Sequence, residues 1–190
     1  MAEIQELLKK ELEADKVSVF NHVFRRQQEG GGFQPVGIGA HIDFAPHYAK
    51  DLAAKHAPST DYTYSRYALV NVWRTFSPPP QDWPLAVCDG RSVPEGSGIF
   101  NALVYLPELP DMSNVPPPDP TSPGGTIFKY DPNLKWYYYS NMGRDEALVF
   151  KIFDSNRKEG WRVPHAAFWN PAKDAHPRES IEVRTVCYFK

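Results

Sequence analysis

The chain has almost no cysteine. Its 190 residues hold two, Cys88 and Cys187, and neither belongs to a CxxC pair. That excludes a disulfide framework, and both read as buried, inert thiols. It has no long apolar run. Nothing approaches the ~18 residues a membrane span requires. The charged, amphipathic start from Met1 to Lys10 also has no apolar stretch of the signal-peptide kind. The expectation is a cytoplasmic protein with reduced thiols that does not cross a membrane. It has no charge excess either. Lys and Arg number 21 against 23 Asp and Glu, a net charge of −2 with no long block of one sign. That leaves no electrostatic footprint for nucleic acid or an anionic membrane. Internal repeats are absent.

Proline is abundant: 19 residues, about twice the usual share. So many prolines favour loops and short strands over long helices. Hydrophobic residues make up 42% and charged residues 23%, ordinary globular usage, so one domain over residues 1–190 with a buried core is expected.

Helical spacing of Ile4, Leu7, Leu8 and Leu12 predicts a short surface helix over 2–15. A second helix is predicted from Pro46, broken at Pro58. Strands are predicted at 16–24, 35–44, 67–76, 85–89, 100–106, 126–130, 135–140, 147–154, 163–169 and 180–189, from alternation and from β-branched and aromatic content. Arg25 to Gly32 is polar, ends in three glycines and reads as a loop. Residues 107–125, with Pro116-Pro117-Pro118 at their centre, read as a long exposed loop or lid. Many short strands with few helices describe a mainly β protein with flanking helices, a β-sandwich or jelly roll.

The chemistry concentrates around His41-Ile42-Asp43. On a strand, His41 and Asp43 share a face and Ile42 takes the other. An imidazole and a carboxylate side by side are either a hydrogen-bonded surface pair or two ligands of a metal site. His165, between Pro164 and Ala166, is the third ligand or a core histidine satisfied by a carbonyl. Two histidines and one carboxylate on one face of a metal leave open positions, the arrangement of non-haem Fe(II) oxygenases. Thirteen residues further on, Arg178 and Ser180 share a strand face. A guanidinium fork with a hydroxyl beside it suits the distal carboxylate of 2-oxoglutarate. The alternative is a surface ion pair of Arg178 with Glu179 or Glu182. Arg184 has the same parity and is the rival anchor.

These residues carry a resemblance. His41-x-Asp43, a distant His165 and Arg178-x-Ser180 follow the order seen in Fe(II)/2-oxoglutarate-dependent oxygenases. More closely, the chain resembles the fungal and bacterial secondary-metabolite hydroxylases and desaturases, often labelled after a cephalosporin 7α-methoxylation subunit, a gibberellin-type desaturase or a fungal endoperoxidase. The stretches that carry it are Val36–Asp43, Asn71–Arg74, Asp82–Asp89, Trp136–Met142, Lys151–Ser155, Val163–Phe168 and Pro177–Arg184. The resemblance implies a double-stranded β-helix, jelly-roll and cupin-like, with Fe(II) held by His41, Asp43 and His165. It implies 2-oxoglutarate as cosubstrate, anchored by Arg178 and Ser180, and O2-dependent hydroxylation, desaturation or oxidative cyclisation of a small natural-product intermediate. A homodimer is left open. Two other readings keep parts of this pattern: a cupin-type metal dioxygenase or isomerase without 2-oxoglutarate, and a non-catalytic auxiliary subunit of the same fold.

Other residues have two readings each. Asn71 and Trp73 share a strand face and either line the cosubstrate pocket or belong to the core. Tyr138, or its neighbour Tyr137, either hydrogen-bonds 2-oxoglutarate or packs. Arg74 is expected to pair with Asp82 or Asp89 or to touch substrate. Lys151, the one charge in its strand, is expected to meet a buried anion or sit at an edge. His22, His47, His56 and His176 read as surface residues.

Overall fold

The computed structural model describes residues 1–26, 34–103, 111, 113, 119, 121–158 and 160–190. Among the described residues, two α-helices, α1 (Ala2–Leu12) and α2 (Pro46–Lys55), accompany ten strands. The strands are β1 (Lys16–Arg26), β2 (His41–Ile42), β3 (Arg66–Thr75), β4 (Leu85–Cys88), β5 (Ile99–Ala102), β6 (Gly124–Ile127), β7 (Trp136–Tyr138), β8 (Leu148–Asp154), β9 (His165–Ala167) and β10 (Glu179–Phe189). They form a four-stranded sheet, β1-β10-β3-β8, and a six-stranded sheet, β5-β6-β2-β9-β4-β7. Every registered strand pair is antiparallel. The protein is therefore mostly β with few helices.

Strand alternation divides β3 and β10 into two faces. Leu69 and Trp73 of β3, with Val186 and Tyr188 of β10, join Ile42, Leu85, Phe150 and α2 in the main core. Ala68, Val70, Val72 and Cys187 face the other way and are covered by Leu8 of α1. Burying one such aliphatic side chain contributes roughly 1.5–3 kcal/mol, so α1 is fixed by its apolar stripe rather than by its ends. Its first residues have no side-chain cap. α2 begins with proline at its first turn, where no amide hydrogen is needed.

The inner face of the four-stranded sheet is not all apolar. The register places Arg184 opposite Asn71, Glu182 opposite Trp73 and Ser180 opposite Thr75. On the other side of β10, Arg184 meets Asn21 and Ser180 meets Arg25. The three rungs run polar side chains through an otherwise apolar interior, and buried polar groups need partners.

Several boundaries differ from the sequence expectation. The extended stretch over 35–44 pairs as a strand only at His41–Ile42. The chain leading into it makes single bonds instead of a ladder: the Ala167 amide donates to the Gly37 carbonyl, and His41 Nδ1 bonds the Gly39 carbonyl. β1 continues through Arg26, into the predicted loop. β6 starts at Gly124 rather than at Thr126 because its backbone runs against β2; a Cβ at Gly125 would lie 2.5 Å from the Ile42 carbonyl oxygen. The triple glycine at 30–32, the end of the strand expected at 100–106 and most of the proline-rich 107–125 stretch lie outside the described residues.

Candidate metal centre

β2 sits between β6 and β9, and His41 is the direct register partner of His165. Side chains paired in an antiparallel ladder share a face, so both imidazoles project together. Asp43, just past β2, brings its carboxylate to the same point. One ligand atom from each of the three residues lies within 4.8 Å of the others. Asp43 Oδ1 is 4.0 Å from His41 Nε2, and its Oδ2 is 3.8 Å from His165 Nε2.

The protonation states suit a metal. His41 Nδ1 lies 2.7 Å from the Gly39 carbonyl and His165 Nδ1 lies 3.4 Å from that of Val163. A carbonyl only accepts, so in each ring Nδ1 carries a hydrogen and Nε2 is the nitrogen left facing the centre. The Nε2 of His165 is buried and has no hydrogen-bond partner. Burial, outweighing the attraction of Asp43, lowers the His165 pKa to about 4, so the ring is neutral. Burial alone would push the Asp43 carboxyl up. Arg184, His165, His41 and Asn71 outweigh it and bring the pKa to about 2. Two imidazoles that turn their Nε2 atoms toward one carboxylate form a donor set that fits a divalent cation.

Asp43 is held from behind. Arg184 Nη2 donates to its Oδ1 at 2.6 Å and Asn71 Nδ2 donates to its Oδ2 at 2.8 Å. Arg184 Nε donates in turn to Glu182 Oε1 at 2.7 Å. Burial and the nearby Asp43 raise the Glu182 pKa, while Arg184 and Arg25 pull it down. Gly37 lies against the His41 ring; a Cβ there would lie 3.0 Å from Cε1. Phe150 packs on His165 with ring centroids 5.0 Å apart.

Arg178 and Ser180 are each 1% exposed, so the surface ion-pair alternative falls. Arg178 Nη1 donates to the Trp83 carbonyl at 2.7 Å, and the guanidinium lies over Trp73. Arg178 Nε and Ser180 Oγ are buried without partners. Burial lowers the Arg178 pKa to about 10, which leaves it charged at neutral pH.

The remaining expected residues fall into place unevenly. Arg184 and Asn71 are engaged with Asp43. Trp73 is a core residue, 2% exposed. Tyr138 stands apart on the edge strand β7, 54% exposed and edge-on to Phe168. Arg74 pairs with neither aspartate: its Nη2 donates to the Arg144 carbonyl, Asp82 accepts from the Arg178 amide and Asp89 pairs with Arg91. Lys151 meets buried Asp154 at 3.1 Å, on edge strand β8. His56 is half-buried and stacks on Phe20, whereas His22, His47 and His176 are exposed. Both cysteines are buried and free. Sequence reading missed Glu182 and Gly37 as parts of this centre. Glu182 had a signal, since it shares parity with Ser180 and Arg184; Gly37 had none. A cleft of about 850 Å³ opens beside His41, Asp43 and Arg184, walled by Asn21, Phe44, Tyr48 and Asn101.

Residues 1–188 match the oxidoreductase/YMDC permease-like domain family. The chain belongs to that family. No helix among the described residues is long and apolar enough to cross a membrane. The chain is 33% identical to the Fe(II)/2-oxoglutarate-dependent dioxygenase nvfI of Aspergillus novofumigatus, over 98% of this chain and 65% of that protein. It is also 33% identical to the hydroxylase/desaturase CTB9 of Cercospora beticola, over 99% of this chain and 62% of that one. The chain thus spans slightly under two thirds of the length of these relatives. Among solved structures it is similar to the iron and alpha-ketoglutarate-dependent endoperoxidase NvfI. The TM-score is 0.84 at 29% identity, covering 99% of this chain and 67% of that one.

Proposed function

We propose that the two sheets form a double-stranded β-helix and that the protein carries out Fe(II)- and 2-oxoglutarate-dependent oxidation of a small natural-product intermediate, by hydroxylation, desaturation or oxidative cyclisation. The observation that carries this reading is the buried, partnerless Nε2 of His165, turned toward Asp43 and His41. A buried polar atom without a partner is costly, and a cation at this point would satisfy it. The relatives' names, a Fe(II)/2-oxoglutarate-dependent dioxygenase and an iron and alpha-ketoglutarate-dependent endoperoxidase, support the same chemistry.

His41, Asp43 and His165 would hold the metal on one face. Fe(II) bound there with 2-oxoglutarate supplies the O2 chemistry that yields succinate and CO2 and oxidises the substrate. Arg178 and Ser180 would receive the distal carboxylate of 2-oxoglutarate, satisfying the Nε and Oγ left without partners inside the protein. Arg184 is not the anchor in this reading, because Asp43 and Glu182 already occupy it. Phe44, Phe150 and Trp73 keep the surroundings apolar, which strengthens each of these charge contacts. Substrate would enter through the cleft beside Asp43 and Arg184.

Anaerobic titration of the Fe(II)-loaded protein with 2-oxoglutarate tests this. The expected result is a visible metal-to-ligand charge-transfer band that is lost in Arg178→Ala with iron still bound. Iron uptake without any response to 2-oxoglutarate would favour a metal oxygenase or isomerase that uses no keto acid. Failure to take up iron would leave a non-catalytic subunit.

A further inference from the structure

Glu182 is a carboxylate in an unfavourable place. It is 3% exposed on the inner face of β10, with Val23 and Trp73 as its register neighbours. It is not among the three residues grouped around the metal centre. Its Oε1 accepts from Arg184 Nε at 2.7 Å, and the other end of that guanidinium donates to Asp43 Oδ1 at 2.6 Å. Burial and Asp43 favour the neutral acid, and Arg184 pulls Glu182 toward the carboxylate; with Glu182 ionised, Asp43, Arg184 and Glu182 form one line of alternating charge.

A guanidinium bonded to a metal-ligating carboxylate has two opposed effects. It fixes the carboxylate oxygen, and it sets a positive charge beside the cation. The side chain of Arg184 is only 12% exposed, so water screens that charge poorly, and Coulomb repulsion against a dication is twice that against a single charge. Unopposed, the charge of Arg184 repels the very cation that Asp43 would hold.

We propose that Glu182 is the counter-charge that lets Arg184 hold Asp43 without repelling the metal. Arg184 and Glu182 act as one neutral, rigid unit behind the ligand, and Glu182 is a positioning residue that works through Arg184. This rests on the metal-centre reading above. Arg25 and Arg178 also lie within electrostatic reach of Glu182, but Arg184 is the cation whose guanidinium it bonds directly.

The test is binding of Co(II) alone to the purified protein, followed by calorimetry and by the visible Co(II) spectrum, with circular dichroism to confirm folding. Glu182→Gln keeps the shape and the acceptor oxygen and removes only the charge; its Kd for Co(II) is expected to rise about tenfold or more. The double variant Glu182→Gln/Arg184→Met removes both charges and is expected to return to within about threefold of the wild type, as is the charge-conserving Glu182→Asp. Wild-type affinity in Glu182→Gln, or a double variant no tighter than that single one, overturns the proposal. If Glu182→Gln does not fold, Arg184→Met decides alone: it removes the positive charge beside the cation and is expected to bind Co(II) no more weakly than the wild type, so a large loss overturns the proposal. A wild-type protein that takes up no Co(II) defeats the metal-centre reading itself. A wild type that binds, with no recovery in the double variant, defeats only the role of Glu182.

Discussion

His41 lies directly opposite His165 across the β2–β9 ladder, with ring centroids 4.4 Å apart. The two residues supply two thirds of the proposed donor set from strands of only two and three residues. Their separation is fixed by backbone pairing rather than by side-chain flexibility. His165→Gln keeps a polar group of similar size and removes the ring nitrogen. It is expected to weaken Co(II) binding on the order of 100-fold or more, read by calorimetry, with the circular dichroism spectrum unchanged. Wild-type Co(II) affinity would remove His165 from the centre.

Gly37 leaves room for the His41 ring. With an added Cβ only 3.0 Å from Cε1, Gly37→Ala asks the ring to give by a few tenths of an ångström, and Gly37→Val asks for more. Metal affinity is expected to fall slightly in the first and roughly tenfold in the second. Thermal melting of the metal-free variants separates this local effect from general unfolding, because the midpoint should stay near that of the wild type.

Arg178→Lys keeps the positive charge and loses the planar fork. The ammonium cannot reproduce both the bond to the Trp83 carbonyl and the free Nε edge. The 2-oxoglutarate concentration needed for half-saturation is expected to rise about tenfold or more, with Co(II) affinity unchanged. A parallel loss of metal binding would mean that Arg178 supports the centre rather than the cosubstrate.

Cys187 gives the fold an alkaline limit. Burial raises its thiol from the ordinary 9.0 to about 11, against the pull of the Thr185 hydroxyl and Arg66. A folded pKa above the unfolded one means that this contribution is complete below about pH 9 and is lost as pH rises toward 11. Two units correspond to roughly 3 kcal/mol at most. Melting temperature is therefore expected to fall across that window, and Cys187→Ala should flatten the slope even though it lowers stability at neutral pH. Burial raises the Tyr188 hydroxyl in the same direction, so some slope should remain.

Much of the four-stranded sheet could be read from the sequence. β3, β8 and β10 are long, rich in β-branched and aromatic residues, and alternate faces over enough residues for the pattern to register. The inner face of β10 followed from the shared parity of Ser180 and Arg184, although Glu182 between them went unread. Parity could not decide between Arg178 and Arg184 as anchor. That choice depends on the position of Asp43, 141 residues away from Arg184 in the chain, and strand period carries no information over such a distance. The short strands were harder. β2 is cut to two residues because the glycine-rich chain before it bonds singly to β9 and to itself. Tyr138 looked like a pocket residue because aromatic runs usually alternate into a core. β7 is an edge strand, and all three of its side chains are exposed.

The brevity of β2 and β9 has a thermodynamic consequence. The register joins them at the single pair His41 and His165, so the middle of the six-stranded sheet has little cooperative strength of its own. A cation bound by both histidines would act there as a cross-strand staple, bound by the folded chain and hardly at all by the unfolded one. At a hundred times its dissociation constant such a ligand adds about 2.7 kcal/mol to stability by mass action. The centre proposed for redox chemistry would then also be a structural joint, and chelation would loosen the sheet at the place where its ladder is thinnest.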